Sequence, residues 1–250
     1  MLKKLSLLRD KVEDWNAYPF CVPVIRSLDA VSLTSRICFF AGENGSGKST
    51  LLEAIAAHYG FGPEGGNRNF GRLSTTNSNN SVATLLPCLR LSFDKRTGQG
   101  FFLRAESLFN AATYIDNIGV TNSYGGLSLH ERSHGETFLT VLAQKFQRNG
   151  LFLLDEPEAA LSPQRQLAFL VLLHDTLRKH KDAQFIISSH SPLLLGYPEA
   201  QILSFDGGKI HEIGYEDLQC VQIARRFLNH RENFLQQLLN DPLRLFPPEE

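Results

Sequence analysis

The run Ile37-Cys-Phe-Phe-Ala41, followed at once by Gly42-Glu-Asn-Gly-Ser-Gly-Lys-Ser49, constrains this chain more than any other stretch. The apolar run reads as a short buried strand, and Ser49 to His58 reads as a helix with Leu51, Leu52 and Ile55 on one face. The loop between them fits GxxxxGK[ST] in full. Glycines let the backbone wrap an anion closely, so successive N–H groups and the positive end of the helix dipole converge on phosphate. The candidate phosphate-binding residues are Gly42, Glu43, Asn44, Gly45, Ser46, Gly47, Lys48, Ser49 and Thr50. Lys48 is placed to reach the β- and γ-phosphates, and the Ser49 hydroxyl to sit on Mg²⁺. An ordinary glycine turn before a helix is the alternative. The coincidence of glycines, lysine, serine and both flanks tells against it.

A second run, Leu151-Phe-Leu-Leu-Asp155-Glu156, ends an apolar strand in two acids. A buried parallel strand delivers carboxylates in this way to the carboxyl edge of its sheet. Asp155 is the candidate metal ligand and Glu156 the candidate that polarises an attacking water. Alone, this run reads as a core strand ending in a solvated turn. Beside the phosphate loop it indicates a nucleoside triphosphatase. Phe185-Ile-Ile-Ser-Ser-His190 repeats the pattern and brings His190 to the same edge, where it can contact the γ-phosphate.

From about Ile37 to Ile213 the chain resembles the ABC-type ATPase superfamily, in particular the soluble branch of SMC-like and RecF-like ATPases and small stand-alone bacterial ATPases. The resemblance implies a P-loop NTPase of α/β class: an ABC-type nucleotide-binding domain with a parallel-sheet core, an antiparallel β-lobe and a helical signature region. It also implies ATP and Mg²⁺ as ligands. The family's signature, usually LSGGQ, corresponds to Arg132-Ser133-His134-Gly135-Glu136, leading into Phe138, Leu139, Val141, Leu142 and Phe146. Ser133 and Gly135 are kept, and in the family these positions face the γ-phosphate held by the other subunit. A capping box, with Ser133 as N-cap and Glu136 three residues on, is compatible with that role. Arg132, His134 and Glu136 depart from the pattern, as does Ser162 of Ala160-Leu161-Ser162, where many relatives carry aspartate. Glu106 stands as the candidate metal-site residue in place of the usual glutamine, with Gln99 as a weaker one, and Tyr18 or Phe20 as the adenine-stacking aromatic.

At 250 residues with 42% hydrophobic content, the chain is long enough for a single two-lobed domain over 1–250. Its net charge of −1 advertises neither nucleic acid nor membrane. The basic runs Arg178-Lys-His-Lys181 and Arg225-Arg226 with Arg231 read as solvated helix faces. Cys21, Cys38, Cys88 and Cys220 form no ligand spacing and suit reduced thiols in a cytoplasmic protein. No apolar run reaches bilayer length, and charge interrupts the first ten residues, so neither a signal peptide nor a membrane insertion of its own is expected.

The rest of the chain gives an ordered set of expectations. Strands of an outer sheet precede Arg36, and 61–81, rich in Gly, Asn, Ser and Thr, reads as a mobile loop. Leu89–Phe93 and Gly100–Arg104 flank a turn and predict a hairpin, as do Gln201–Phe205 and Lys209–Ile213. Ser107–Ile118 predicts a helix. Pro163 opens another towards Lys181, with Leu167, Leu170, Val171, Leu173 and Leu177 facing inward. Two C-terminal helices are expected over 215–240. Sustained heptads are lacking between the phosphate loop and the signature, which argues against long coiled-coil arms.

The function that the resemblance implies is a Mg²⁺-dependent ATP hydrolase working as an ATP-gated head-to-tail homodimer. DNA transactions and defence are candidate settings, with DNA or a soluble effector as partner. A nucleotide-binding subunit of an ABC transporter and a slow ATP switch recruiting an effector are the alternatives.

Overall fold

The computed structural model describes residues 1–62, 82–104 and 134–240, with 134–137 described by backbone alone. Of the mobile loop expected over 61–81, residues 63–81 lie outside the described residues, as does the helix at 107–118, while Phe61 is buried. The chain divides into two compact units, Met1–Glu212 and Ile213–Glu250.

The first unit is built on two sheets, with strands numbered in chain order. A six-stranded sheet runs β5 (Gly100–Arg104), β6 (Leu151–Asp155), β7 (Gln184–Ser188), β3 (Ile37–Ala41), β8 (Gln201–Ser204) and β9 (His211–Glu212). Its strands are parallel except for β9, which returns antiparallel on β8 as the second predicted hairpin. A smaller antiparallel sheet has the order β2 (Ala30–Ser32), β1 (Leu2–Leu7), β4 (Leu89–Phe93). The parallel core and antiparallel lobe are thus both present. Two buried glutamines tie the sheets together. Gln184 exchanges bonds with the Leu2 backbone at 2.7 and 2.9 Å, while Gln201 accepts from Thr34 N–H and donates to Ser32 C=O.

The first predicted hairpin is corrected. β4 pairs with β1, whereas β5 joins the edge of the large sheet parallel to β6. The turn signals of Asp94 to Gly98 are real, but the strands they separate enter different sheets. Gly100 shows why β5 is committed to β6: a Cβ there would lie 1.9 Å from Leu151 C=O.

Strands β3, β6, β7 and β8 are buried along their whole length, as expected of parallel strands covered on both faces. On one face, Cys38, Phe40, Leu151, Leu153, Ile186 and Leu203 share a core with Leu51, Leu52 and Ile55 of helix α2 (Lys48–Tyr59). On the other, Phe152 and Phe185 stack with centroids 4.9 Å apart, and Phe146 and Phe169 close around them. Phe146 follows helix α3 (His134–Lys145), and Phe169 belongs to helix α4 (Pro163–Lys179).

The inward face predicted for α4 needs correction. Leu167 and Val171 are 51% and 61% exposed, while Gln166, Phe169, Leu173, Thr176 and Leu177 are buried. Leucine and valine occur all round this helix, so hydrophobicity alone mis-set its face; the buried positions follow the 3–4 spacing of one stripe.

In the second unit, helices α5 (Gln219–Asn229) and α6 (Arg231–Asn240) follow a turn at Tyr215–Asp217, and Phe227 meets Phe234 edge to face at 5.7 Å. Among the described residues, no helix is long and apolar enough to cross a membrane.

Candidate nucleotide-binding site

Strand β3 ends and α2 begins within the glycine loop, where Gly42, Gly45 and Gly47 all take positive φ. Gly47 is the N-cap of α2 at φ +99°, and a Cβ there would lie 2.7 Å from Val24 Cγ2 and 2.9 Å from Val22 Cγ1. Those valines belong to a short helix, α1 (Pro23–Arg26), and its N-cap, so the loop rests against a hydrophobic shelf. The loop closes around its own lysine. Lys48 Nζ donates to Gly42 C=O at 2.6 Å and to Glu43 C=O at 2.7 Å. Burial pushes its pKa below the ordinary lysine value, against the opposing pull of Glu156, Asp206, Asp155 and Glu43.

The acid side is set by strand alternation. Asp155 lies two residues beyond Leu153, and Arg104 two beyond Phe102, so both side chains share the α2 face of the sheet. Asp155 is also directly across from Arg104 on one side and Ser188 on the other. Ser49, in the first turn of α2, donates its hydroxyl to Asp155 Oδ1 at 2.9 Å. One turn further on, Glu53 pairs with Arg104 at 2.7 Å, and Arg104 Nε lies 3.8 Å from Asp155 Oδ2. Burial raises the Asp155 pKa; the Ser49 bond and the Arg104 charge counter it.

These donors suit a magnesium ion. Mg²⁺ takes hard oxygen ligands and typically only one or two from protein, the rest being phosphate and water. The paired Ser49 hydroxyl and Asp155 carboxylate supply that much without a larger ligand cluster, and none occurs among the described residues.

Glu156 follows in the left-handed region at φ 49°, ψ 53°, with its N–H bonded to Ser188 C=O at 3.0 Å. Such a conformation costs a glutamate on the order of 1–3 kcal/mol. It turns the chain sharply at the strand end, ahead of a 3₁₀ turn at Pro157–Ala160. His190, two residues past β7, has a side chain 53% exposed, with Nδ1 3.4 Å from Glu158 Oε1.

The remaining candidates fall out as follows. Tyr18 is half exposed, and its hydroxyl lies 2.9 Å from Thr50 Oγ1; Phe20 is buried against Trp15. The loop's aromatic neighbour is therefore Tyr18. Gln99 precedes β5 and so lies at the amino edge of the sheet, opposite Asp155, which removes it as a metal-site residue. Gly135 lies in the first turn of α3. Ser133 and Glu106 lie outside the described residues.

Sequence reading missed Asp206, Glu158, Arg104 and Glu53. Asp206 follows β8, and its Oδ1 accepts Glu43 N–H at 2.9 Å, taking up one donor of the phosphate loop. A signal was available for it: β8 was a predicted strand, and a polar residue at its carboxyl end falls on the loop's edge of the sheet.

A family model described as "AAA domain, putative AbiEii toxin, Type IV TA system" matches residues 120–196, a span that includes Asp155, Glu156 and His190. The chain is 26% identical over 189 residues to the xylose import ATP-binding protein XylG of Moorella thermoacetica, covering 67% of this chain and 37% of that one. It is 24% identical over 257 residues to the macrolide export ATP-binding/permease protein MacB of Marinobacter nauticus, covering 92% of this chain and 38% of that one. The chain thus spans less than two fifths of each of these curated relatives. Among solved structures, the SMC head domain of Thermotoga maritima superposes with a TM-score of 0.48 at 16% identity, covering 85% of this chain and 98% of that one. With its glycine loop, its acid-ended strand and the family-model match over 120–196, this chain is similar to ATPases of the AAA and ABC types.

Proposed function

We propose that this protein binds Mg²⁺-ATP in the 42–50 loop and hydrolyses it, two copies closing head to tail around the nucleotides. The supporting observation is the Ser49–Asp155 bond at 2.9 Å beside a lysine caged by its own loop. On nucleotide binding, Lys48 exchanges the carbonyls of Gly42 and Glu43 for phosphate oxygens, and the first N–H groups of α2 receive the anion. Ser49 and Asp155, with Glu106 as a further candidate, would hold Mg²⁺, which would supply positive charge against the phosphates. Glu156 orients and polarises the water, His190 contacts the terminal phosphate, and Tyr18 stacks on the base. Ser133 and Gly135 of the second copy complete the site. Positioning and charge stabilisation supply most of the catalysis, since phosphoryl transfer asks for little covalent chemistry.

The setting we favour is a cytoplasmic stand-alone ATPase acting on DNA or a soluble effector, including a slow switch that recruits one. The matched family model, whose description names a toxin–antitoxin system, supports it. The names of the two curated relatives support a transporter subunit instead. Co-purification with an integral membrane protein selects the transporter; ATP-dependent capture of DNA or a soluble effector selects the other.

The test is the solution mass of Glu156→Gln with and without Mg²⁺-ATP, beside phosphate release by the wild type. The variant is expected to bind ATP, to double in mass only with it, and to release phosphate about 100-fold more slowly or worse. Wild-type turnover in the variant removes Glu156 from its role. A mass indifferent to ATP removes the homodimer.

A further inference from the structure

Glu158 is the most committed side chain that the proposed hydrolysis does not use. It sits in the 3₁₀ turn after Glu156, 8% exposed. A buried carboxylate is costly unless donors surround it. Here they gather on one oxygen: Oε1 accepts Ser189 Oγ–H at 2.7 Å and His190 N–H at 2.8 Å, and the His190 ring presents Nδ1 to it at 3.4 Å. Oε2 has no hydrogen-bond partner among the described residues. The arrangement therefore spends the carboxylate on the chain after β7 rather than on its own solvation.

The contacts continue in a closed circuit. Ser189 Oγ accepts Ser191 N–H at 3.1 Å, and Ser191 Oγ–H donates to Gln166 Oε1 at 2.5 Å. Gln166, in the first turn of α4, donates Nε2–H to Leu161 C=O at 3.1 Å and its own N–H to Ser162 C=O at 2.9 Å. Leu161 N–H then returns to Glu158 C=O at 3.0 Å. Glu158, Gln166, Ser189 and Ser191 are all buried. Apolar residues of similar volume often hold such a position at no loss of stability, so a satisfied polar circuit specifies geometry more than it adds strength.

We propose that Glu158 is a positioning residue that locks the chain bearing His190 to the segment Leu161–Ser162, so that the two move as one body. This rests on the reading of His190 as the residue facing the terminal phosphate. What His190 meets is then delivered, through Ser189, Ser191 and Gln166, to the turn that opens α4. A constraint at Leu161–Ser162 is delivered back to His190 by the same contacts. The lock needs an acceptor oxygen at residue 158, and its far end is the Gln166 amide.

Amide hydrogen exchange on the full chain without nucleotide tests the lock directly. Gln166→Leu is expected to speed exchange about tenfold or more over 188–192, and Glu158→Leu over 161–166, segments that each side chain reaches through the hydrogen bonds of the circuit. Glu158→Gln keeps an acceptor oxygen and is expected to stay near wild type in both. Loosening confined to each variant's own segment overturns the proposal, as does Glu158→Gln behaving like Glu158→Leu. Should Glu158→Leu not fold, Gln166→Leu decides alone. A parallel ATPase assay separates this proposal from the one it rests on. Glu158→Leu is expected to lower kcat with KM within about twofold, and Glu158→Gln to restore kcat. Wild type without phosphate release sinks the hydrolase reading, while the nucleotide-free exchange still judges the lock.

Discussion

The two sides of the site are built by different means. On the phosphate-loop side, contiguous residues from Gly42 to Ser49 do the work with backbone groups, and even the charged residue, Lys48, is held by two carbonyls of its own loop. On the acid side, the residues come from the ends of β5, β6, β7 and β8. Side chains hold them: Arg104 to Glu53, Ser49 to Asp155, Glu158 to Ser189, and Asp206 to the Glu43 amide. The loop side should thus fail through geometry, and the acid side through charge.

The largest effect expected is from Lys48→Ala, because both the loop's internal clasp and the cation proposed to meet phosphate go at once. Nucleotide affinity, read by fluorescence titration with Mg²⁺-ATP, should fall by about 100-fold or more. Affinity within a few fold of wild type would show that the loop's amides carry binding alone.

Gly47→Ala comes next and tests geometry without touching charge. The added Cβ meets stiff valine methyls at 2.7 and 2.9 Å, at a φ that L residues rarely adopt. A loss of about 2–4 kcal/mol in denaturant unfolding is expected from overpacking and backbone strain together. In a double-mutant cycle, Val24→Ala should recover about 1 kcal/mol of it, since the two sites share a contact. Strict additivity would mean that φ alone is responsible.

Asp155→Asn tests charge without geometry. Burial raises the Asp155 pKa, so between its unfolded and folded values the folded chain holds more protons than the unfolded one. The stability this group contributes is present below the unfolded value and is lost as pH rises through the folded one. At pH 7.5, without metal, Asp155→Asn should therefore melt above wild type, by about 2–4 °C for each ~1 kcal/mol relieved. The gap should narrow at pH 4. Stabilisation by Mg²⁺-ATP should be lost in the same variant. A wild type more stable than the variant at pH 7.5 would show that Arg104 and Ser49 more than offset the burial.

The same contrast explains what could be read in the sequence. The β3 strand, the loop and α2 were legible because their information is local: glycine positions, a lysine and an apolar stripe lie within one continuous stretch. The positions of Asp155, Glu156 and His190 at the carboxyl edge of the sheet were legible because each ends or follows an apolar strand. The partners of those residues were not. Glu158 and Ser189 are 31 positions apart, and Glu43 and Asp206 163 apart, so only the sheet order brings them together. Strand order also defeated the first hairpin: Leu89–Phe93 and Gly100–Arg104 have the local signals of a pair but enter separate sheets. Helix α4 failed for a different reason, since its apolar residues surround the helix and conceal the stripe that is buried.

Asp206 lies where the two sides meet, and its variant should have the smallest effect and the most diagnostic one. Its carboxylate accepts the Glu43 amide of the phosphate loop while adding negative charge close to Lys48. Asp206→Asn keeps an acceptor oxygen and removes the charge, so the loop's shape survives and only the field changes. An anion entering the loop should then meet less repulsion, and ATP without metal should bind about threefold more tightly at low salt. The gain should shrink as salt rises, because this side chain is only half-buried and screening reaches it. If affinity instead falls at every salt concentration, Asp206 serves the loop as a brace, and the border between geometry and charge lies one residue further into the acid side.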